Sequence, residues 1–300
     1  MEPPLELDGL DGLNPMGYFA ALGTLLSLTR VCPDIQPRLS WTVAPIPRPL
    51  LHGFNGVDEV VTALDEDRQA WRSSPALYFS DDVKFSADDQ REYLRACRSA
   101  TDGGRSAALA AALVAEGAFA GTGDGKPTDL HFAAGPQKFL AVAQGLQTHV
   151  SPAHLANALS GPWRYISQKG CKTFGWDVTD DQLYALSAAK PGNEKETVPG
   201  ADWLALVGLS FYPVVKSAQQ ARTSGSSGTW NNGQFSWPLW SDALGWRSVF
   251  QLINANVEAQ ASAHVGVFRV LRAPIWRGRK GKGYGQFAPA SIVWEPGPQR

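Results

Sequence analysis

The residues best suited to chemistry lie in one run near the end of the chain, Trp276-Arg-Gly-Arg-Lys-Gly-Lys-Gly-Tyr-Gly-Gln-Phe287. Arg277, Arg279, Lys280 and Lys282 stand among four glycines, with Trp276, Tyr284 and Phe287 interleaved. Glycine lets a backbone approach a phosphate closely and turn N–H groups toward it. Cations neutralise phosphates, and each aromatic ring can stack on a base for ~1–3 kcal/mol. Together they form the pattern expected for single-stranded nucleic acid. Its candidate contacts are Arg277, Arg279, Lys280, Lys282, Tyr284 and Phe287. The plainer reading of the same residues is an exposed hairpin tip that is basic for solubility. Arg269 and Arg272 extend the patch only if they share a strand face. Their spacing of three puts them on opposite faces, so only one of them is expected to join it.

Other chemistries find less support. The five histidines are His52, His131, His149, His154 and His264, with no H-E-x-x-H, and only His149 and His154 are close in sequence. No metal or other cofactor is therefore expected. His264, just before the basic run, is the histidine placed to act as acid or base on a bound RNA; the plainer reading is a partly buried strand residue. There is no G-x-S-x-G, no Cys–His signature and no clustered acidic motif for a two-metal nuclease; Asp177 and Asp202 stand isolated. Gly121 to Asp129 imitates a phosphate loop, but Pro127 follows Lys126 where G-K-[ST] is required, so a flexible loop is expected.

Bulk composition does not select a partner, because the formal net charge is −1. Its distribution is uneven: net −6 over residues 1–100, −1 over 101–200 and +6 over 201–300. The C-terminal third is where a polyanion would sit; uneven charge on one surface is the alternative. Charged residues are 18%, below the usual ~25%, and glycine (30) plus proline (21) marks a globular chain rich in loops. Cys32, Cys97 and Cys171 are odd in number and widely spaced. That argues against a disulfide framework and for a reducing cytosol. Nine of the eleven tryptophans lie at or after residue 163, and a β-rich core is the expected use for them.

The elements that must position the basic run begin with residues 10–30. Asn14 is a natural N-cap and Pro15 suits the first helical position. The helix that follows is apolar nearly all round and so buried. Gly17, Ala20, Ala21 and Gly23 form a small-residue face. It is short of the ~20 residues that span a bilayer, and no lysine or arginine precedes it as in a signal peptide. Pro199 to Leu209 is a second apolar helix that echoes the first, and the two are expected to pack through glycine faces. Further helices are expected from Gly56 to about Ser73, Ser86 to about Ala100, Arg105 to Phe119, Gln137 to Leu146, Ser151 to Leu159 and Trp246 to Asn256. Strands are expected at Arg38–Val43, Pro75–Phe79, Phe174–Asp177, Leu183–Ser187, Phe211–Val215, Ala263–Ala273 and Ser291–Trp294, with a strand pair over Trp230–Trp240. Thr223 to Thr229, rich in serine and glycine, reads as a linker. The class is α+β, with a mainly helical part at 1–165 and a β-rich part at 166–300, or one continuous domain.

Several stretches also resemble one family. They are Gly12-Leu-Asn-Pro-Met-Gly-Tyr-Phe-Ala-Ala-Leu-Gly23, Lys126-Pro-Thr-Asp-Leu-His-Phe-Ala-Ala-Gly135, Gly161-Pro-Trp-Arg-Tyr165, Gly175-Trp-Asp177, Tyr184-Ala-Leu186, Pro199-Gly-Ala-Asp-Trp-Leu-Ala205 and Tyr284-Gly-Gln-Phe-Ala-Pro289. In this order they resemble accessory or subunit proteins of type I-G (formerly I-U) CRISPR systems. The resemblance implies a cytoplasmic subunit of a crRNA-guided antiviral complex, in contact with crRNA, target DNA or other effector subunits and with no membrane. It carries over no catalytic residue. Near-neutral charge suits a peripheral subunit better than one that coats RNA. A ferredoxin-like (RRM-like) sheet is expected by analogy with other CRISPR subunits. Two alternatives remain at this stage: a metal-independent endoribonuclease using His264, and a protein-interaction module without nucleic-acid contact.

Overall fold

The computed structural model describes residues 3–121, 123–133, 137–178, 196–218, 220–255, 266–277 and 285–296. The helices are α1 (Pro15–Val31), α2 (Val57–Ala70), α3 (Pro75–Tyr78), α4 (Ala87–Ser99), α5 (Arg105–Leu113), α6 (Phe139–His149), α7 (Pro152–Leu159), α8 (Pro199–Gly208) and α9 (Trp246–Asn254). The strands are β1 (Leu5–Glu6), β2 (Arg38–Trp41), β3 (Pro49–His52), β4 (Val114–Phe119), β5 (Gly125–Pro127), β6 (Val214–Ser217), β7 (Gln220–Thr223), β8 (Ser226–Thr229), β9 (Asn232–Trp240), β10 (Leu244–Gly245), β11 (Val267–Arg277), β12 (Gly285–Phe287) and β13 (Ser291–Trp294). The class is α+β, with helices concentrated in the first half.

The centre is α1 against α8. Asn14 caps α1 by accepting from Met16 N at 3.0 Å. Every α1 residue from Pro15 to Leu28 is buried, and so is all of α8. The helices meet backbone to backbone. A Cβ added at Gly23 would lie 1.8 Å from Leu204 O, and one at Gly208 would lie 1.9 Å from Phe19 O. The glycine-face packing expected of the two echoing helices is what forms.

Two larger sheets flank this pair. One has the order β1-β3-β2-β10; the other has the order β12-β11-β9-β8, with β13 also on β11. The second sheet turns Phe235, Trp237, Leu239, Leu271, Ala273, Ile275 and Phe287 inward. Trp237 Nε1 donates to Gly12 O at 2.9 Å and Trp240 Nε1 to Leu39 O at 2.8 Å, so one indole ties the second sheet to the segment before α1 and the other ties it to β2 of the first sheet. Most buried apolar side chains form one cluster from Leu7 to Phe287, and Ala115, Ala118, Val214 and Ala221 form a second, small one. No described helix is long and apolar enough to cross a membrane.

Several expectations fail where long-range pairing overrides local signals. Among the described residues the ferredoxin-like sheet does not form: that order needs two neighbouring parallel strands, and every described strand pair is antiparallel. Residues 75–78 are helical, because Pro75 occupies the first helical position after Ser74. The helix from Arg105 stops at Leu113, and Val114–Phe119 pairs with the stretch read as a flexible loop. Residues 209–211 form a 3-10 turn, and the strand expected at Phe211 starts only at Val214. Trp230–Trp240 supplies one long strand, paired on one side with β11 and on the other with the serine- and glycine-rich run read as a linker. That run is an edge strand, half-buried at Ser226 and exposed from Ser227 to Thr229, so it carries no hydrophobic alternation to read. Residues 174–177 are not a strand, and 183–187 lie outside the described residues.

The α1–α8 crossing predicts a sharp contrast among glycines. Gly23→Ala is expected to destabilise the protein by about 3 kcal/mol or more, because backbone cannot yield to the added methyl. Gly121→Ala, which meets nothing within 4 Å, is expected to stay within ~0.5 kcal/mol of the parent. Urea midpoints at constant slope measure both.

Candidate nucleic-acid interface

The basic run sits on a hairpin. β11 and β12 pair antiparallel, with Arg277 opposite Gly285. Arg279, Lys280, Lys282 and Tyr284 lie between them, outside the described residues, as does His264. The two remaining candidates, Arg277 and Phe287, stand at the root of the run and part from expectation.

Arg277 is held by the protein. Nη1 donates to His131 O at 3.0 Å and Nη2 to Asp129 O at 2.5 Å. Its guanidinium carbon lies 3.6 Å from the Trp230 ring centroid and 5.2 Å from that of Phe132. Burial lowers its pKa to about 10, against the charge of Asp129, which raises it. It stays a cation at neutral pH. Phe287 is fully buried, with its ring 5.0 Å from Phe132 and 5.9 Å from Phe235. It offers no face to a base and leaves the stacking set.

The outer face of the sheet supplies what Phe287 does not. Trp276 is 52% exposed and stands beside Gln286. Arg272 is exposed in register with Ser236 and Ser291, and its Nε donates to Ser236 Oγ at 3.0 Å. Arg269 is committed elsewhere: Nε donates to Glu295 Oε1 at 2.5 Å and Nη1 to Ala44 O at 3.3 Å. Of the two arginines, Arg272 is the one open to solvent.

What pins Arg277 is a buried stretch from Thr128 to Phe132. Thr128 and Thr223 share a hydroxyl bond of 2.7 Å, and Asp129 Oδ2 accepts from Thr223 N at 3.1 Å. Trp176 Nε1 donates to Leu130 O and Gly285 N to Phe132 O, each at 3.0 Å. His131, 2% exposed, sets Nε2 3.0 Å from Asp82 Oδ1. Burial works against the Asp82 charge. The His131 hydrogen bond and charge, the Val83 N–H and Lys84 outweigh it and hold the carboxyl at about 2. Burial lowers the His131 pKa, against the hydrogen bond and charge of Asp82, which raise it. This pair is sealed from solvent and acts as scaffold. Sequence reasoning missed Asp129, His131, Asp82, Thr223 and Trp230. The one available signal was the alternation Thr-Asp-Leu-His-Phe, a strand-like period inside a stretch dominated by glycine and proline.

The isolated aspartates also gain roles. Asp177 accepts from Asn14 Nδ2 at 2.7 Å and from Tyr165 OH at 2.8 Å. Asp202 accepts from Thr173 Oγ1, Phe174 N and Thr197 Oγ1. Among the described residues no group of three or more His, Cys, Asp or Glu is placed to hold a metal ion, and all three cysteines are free thiols. No protein-family model matches the chain, and no curated protein matches it.

Two predictions follow from this root. Arg277→Ala should lower stability by about 2–4 kcal/mol, read from urea midpoints, because it leaves buried carbonyls unpaired. Arg277→Lys should recover little, since an ammonium cannot bridge two carbonyls while stacking on Trp230. Stability should also fall in acid. His131 resists protonation in the fold, so stability drops as pH falls below its ordinary 6.5, where the unfolded chain takes up the proton. Asp82, held at about 2 against 3.8, contributes stability that is complete above 3.8 and is lost as pH falls toward 2. Asp82→Asn should flatten the lower step in a series of urea midpoints against pH.

Proposed function

We propose that this protein is a non-catalytic, nucleic-acid-binding subunit of a type I-G-like CRISPR interference complex, acting in the cytoplasm beside crRNA or target DNA and other effector subunits. The observation that carries the proposal is Trp276. A half-exposed indole stands on the outer sheet face at the strand end where Arg279, Lys280 and Lys282 enter the chain. Exposing so large an apolar ring costs hydrophobic stabilisation, and stacking on an unpaired base would recover it. Arg272 on the same face supplies a further cation. The family resemblance supplies the complex.

Binding to labelled single-stranded RNA and to double-stranded DNA over a salt series tests it. A triple variant, Arg279→Ala, Lys280→Ala and Lys282→Ala, leaves the pinned Arg277 in place. If each cation meets a phosphate, the slope of log K against log[salt] on a single strand should shrink by about 2, from ~0.7 per contact. Trp276→Ala should weaken binding by about 1–3 kcal/mol at every salt concentration with an unchanged slope. Wild-type affinity in the triple variant, or a pull-down without RNA or other CRISPR subunits, overturns the proposal.

A further inference from the structure

The outer face of the sheet that carries Trp276 is built regularly. Along β11, Leu271, Ala273 and Ile275 are buried, so the positions between them, Val270, Arg272, Pro274 and Trp276, face outward. β9 repeats the alternation: Phe235, Trp237 and Leu239 are buried, and Gln234, Ser236 and Pro238 stand opposite Pro274, Arg272 and Val270. On the other flank, Ser291 is in register with Arg272 and Trp294 with Val270. Paired residues share a face. Trp294, partly exposed, therefore joins Trp276 on the outer side.

The solvated face of an antiparallel sheet ordinarily reads polar. This one presents two indoles, two prolines and a valine, and Arg272 is the one charged side chain among these described positions. Glu295, next in the chain after Trp294, is engaged by Arg269 at 2.5 Å. Arg272 Nε donates to Ser236 Oγ on β9 at 3.0 Å, which turns the side chain across the sheet and away from its edge. Exposed rings with one cation and no carboxylate in register are complementary to a ligand that is both planar and anionic.

The spacing adds a length. Trp294 stands opposite Val270, six positions along β11 from Trp276, or about 20 Å at ~3.3 Å per residue. No single base reaches both rings. At the stacked rise of ~3.4 Å per nucleotide the interval holds about six nucleotides, and fewer if the strand is drawn out. Arg272 lies between the two rings.

We infer that a single strand of nucleic acid lies along β11 on this face, with bases stacked on Trp276 and Trp294 and a phosphate on Arg272 between them. The inference rests on the nucleic-acid reading above; it adds Trp294 as a binding residue and gives the site its direction and length.

Trp294→Leu tests it. Leucine keeps an apolar side chain against the core that Trp294 touches and removes the aromatic face; the urea midpoint reports whether the fold is kept. Affinity for an unstructured single-stranded RNA, and for DNA of the same sequence, should fall about 5-fold or more with an unchanged salt slope. Trp294→Phe, which restores a ring, should retain most of the affinity. Parent affinity should climb as the RNA is lengthened from about three to about eight nucleotides, and Trp294→Leu should blunt that gain. Arg272→Gln, at an exposed position, probes the middle of the track whatever Trp294→Leu does to folding: the slope of log K against log[salt] should shrink by about 0.7. Parent-like affinity and length dependence in folded Trp294→Leu, or a parent-like slope in Arg272→Gln, overturns the inference. If Trp276→Ala still weakens binding in that case, the track fails and the nucleic-acid role stands. No binding by the parent protein at low salt overturns both.

Discussion

The contact of α1 with α8 is the constraint on which the rest of the structure depends. Two helices can touch backbone to backbone only where neither carries a side chain, and here Gly23 and Gly208 provide that for each other. Close approach removes both helices from water along their length. It leaves short N-terminal segments of α1 to engage everything around them. Asn14 does two jobs there, capping α1 through Oδ1 and donating through Nδ2 to Asp177. Gly12 O takes the Trp237 indole of the main sheet. A shift of the crossing would therefore move the sheet, and with it the hairpin that bears the basic run.

The second organising feature is polar. Thr128 to Phe132 passes through the interior, and its backbone groups need partners there. Trp176, Gly285 and Arg277 supply donors to the carbonyls of Leu130, Phe132, Asp129 and His131. A cation that the spacing of the basic run marks for a ligand is thus used to satisfy buried backbone. This arrangement separates the cations into two kinds. Arg277 has a fixed geometry and a lowered pKa; Arg272 stands on the open face with a single hydroxyl neighbour.

Charged groups inside the helical half follow the same logic. Asp67 is fully buried and is matched by Ser27, Trp71 and Arg105, with Arg30 at 3.9 Å. An unpaired carboxylate at that depth would be too costly to keep, so α1, α2 and α5 are held in one relative placement. The hairpin root shares its hydrophobic core with this frame.

The sequence by itself determined three of the helix starts. Asn14-Pro15, Ser86 and Ser151-Pro152 carry their instructions within a few residues, because a cap is satisfied by an N–H two or three positions away and proline sets its own φ. It also determined the buried character of α1 and α8 and their glycine contact, since composition alone leaves those helices no polar face. Tertiary structure decided what depends on partners far along the chain. Residues 114–119 and 226–229 became strands because residues 125–127 and 232–235 pair with them. Asp177 and Asp202 became buried acceptors because Asn14, Tyr165 and the 173–174 backbone reach them. Within the basic run, types and spacing marked the cations and rings, but burial divided them: Phe287 went to the core, Arg277 to the carbonyls of residues 129 and 131, and Trp276 to solvent. Local signals fix φ and hydrogen bonds nearby; which face of a strand meets the core is settled only when distant segments compete for the same buried space.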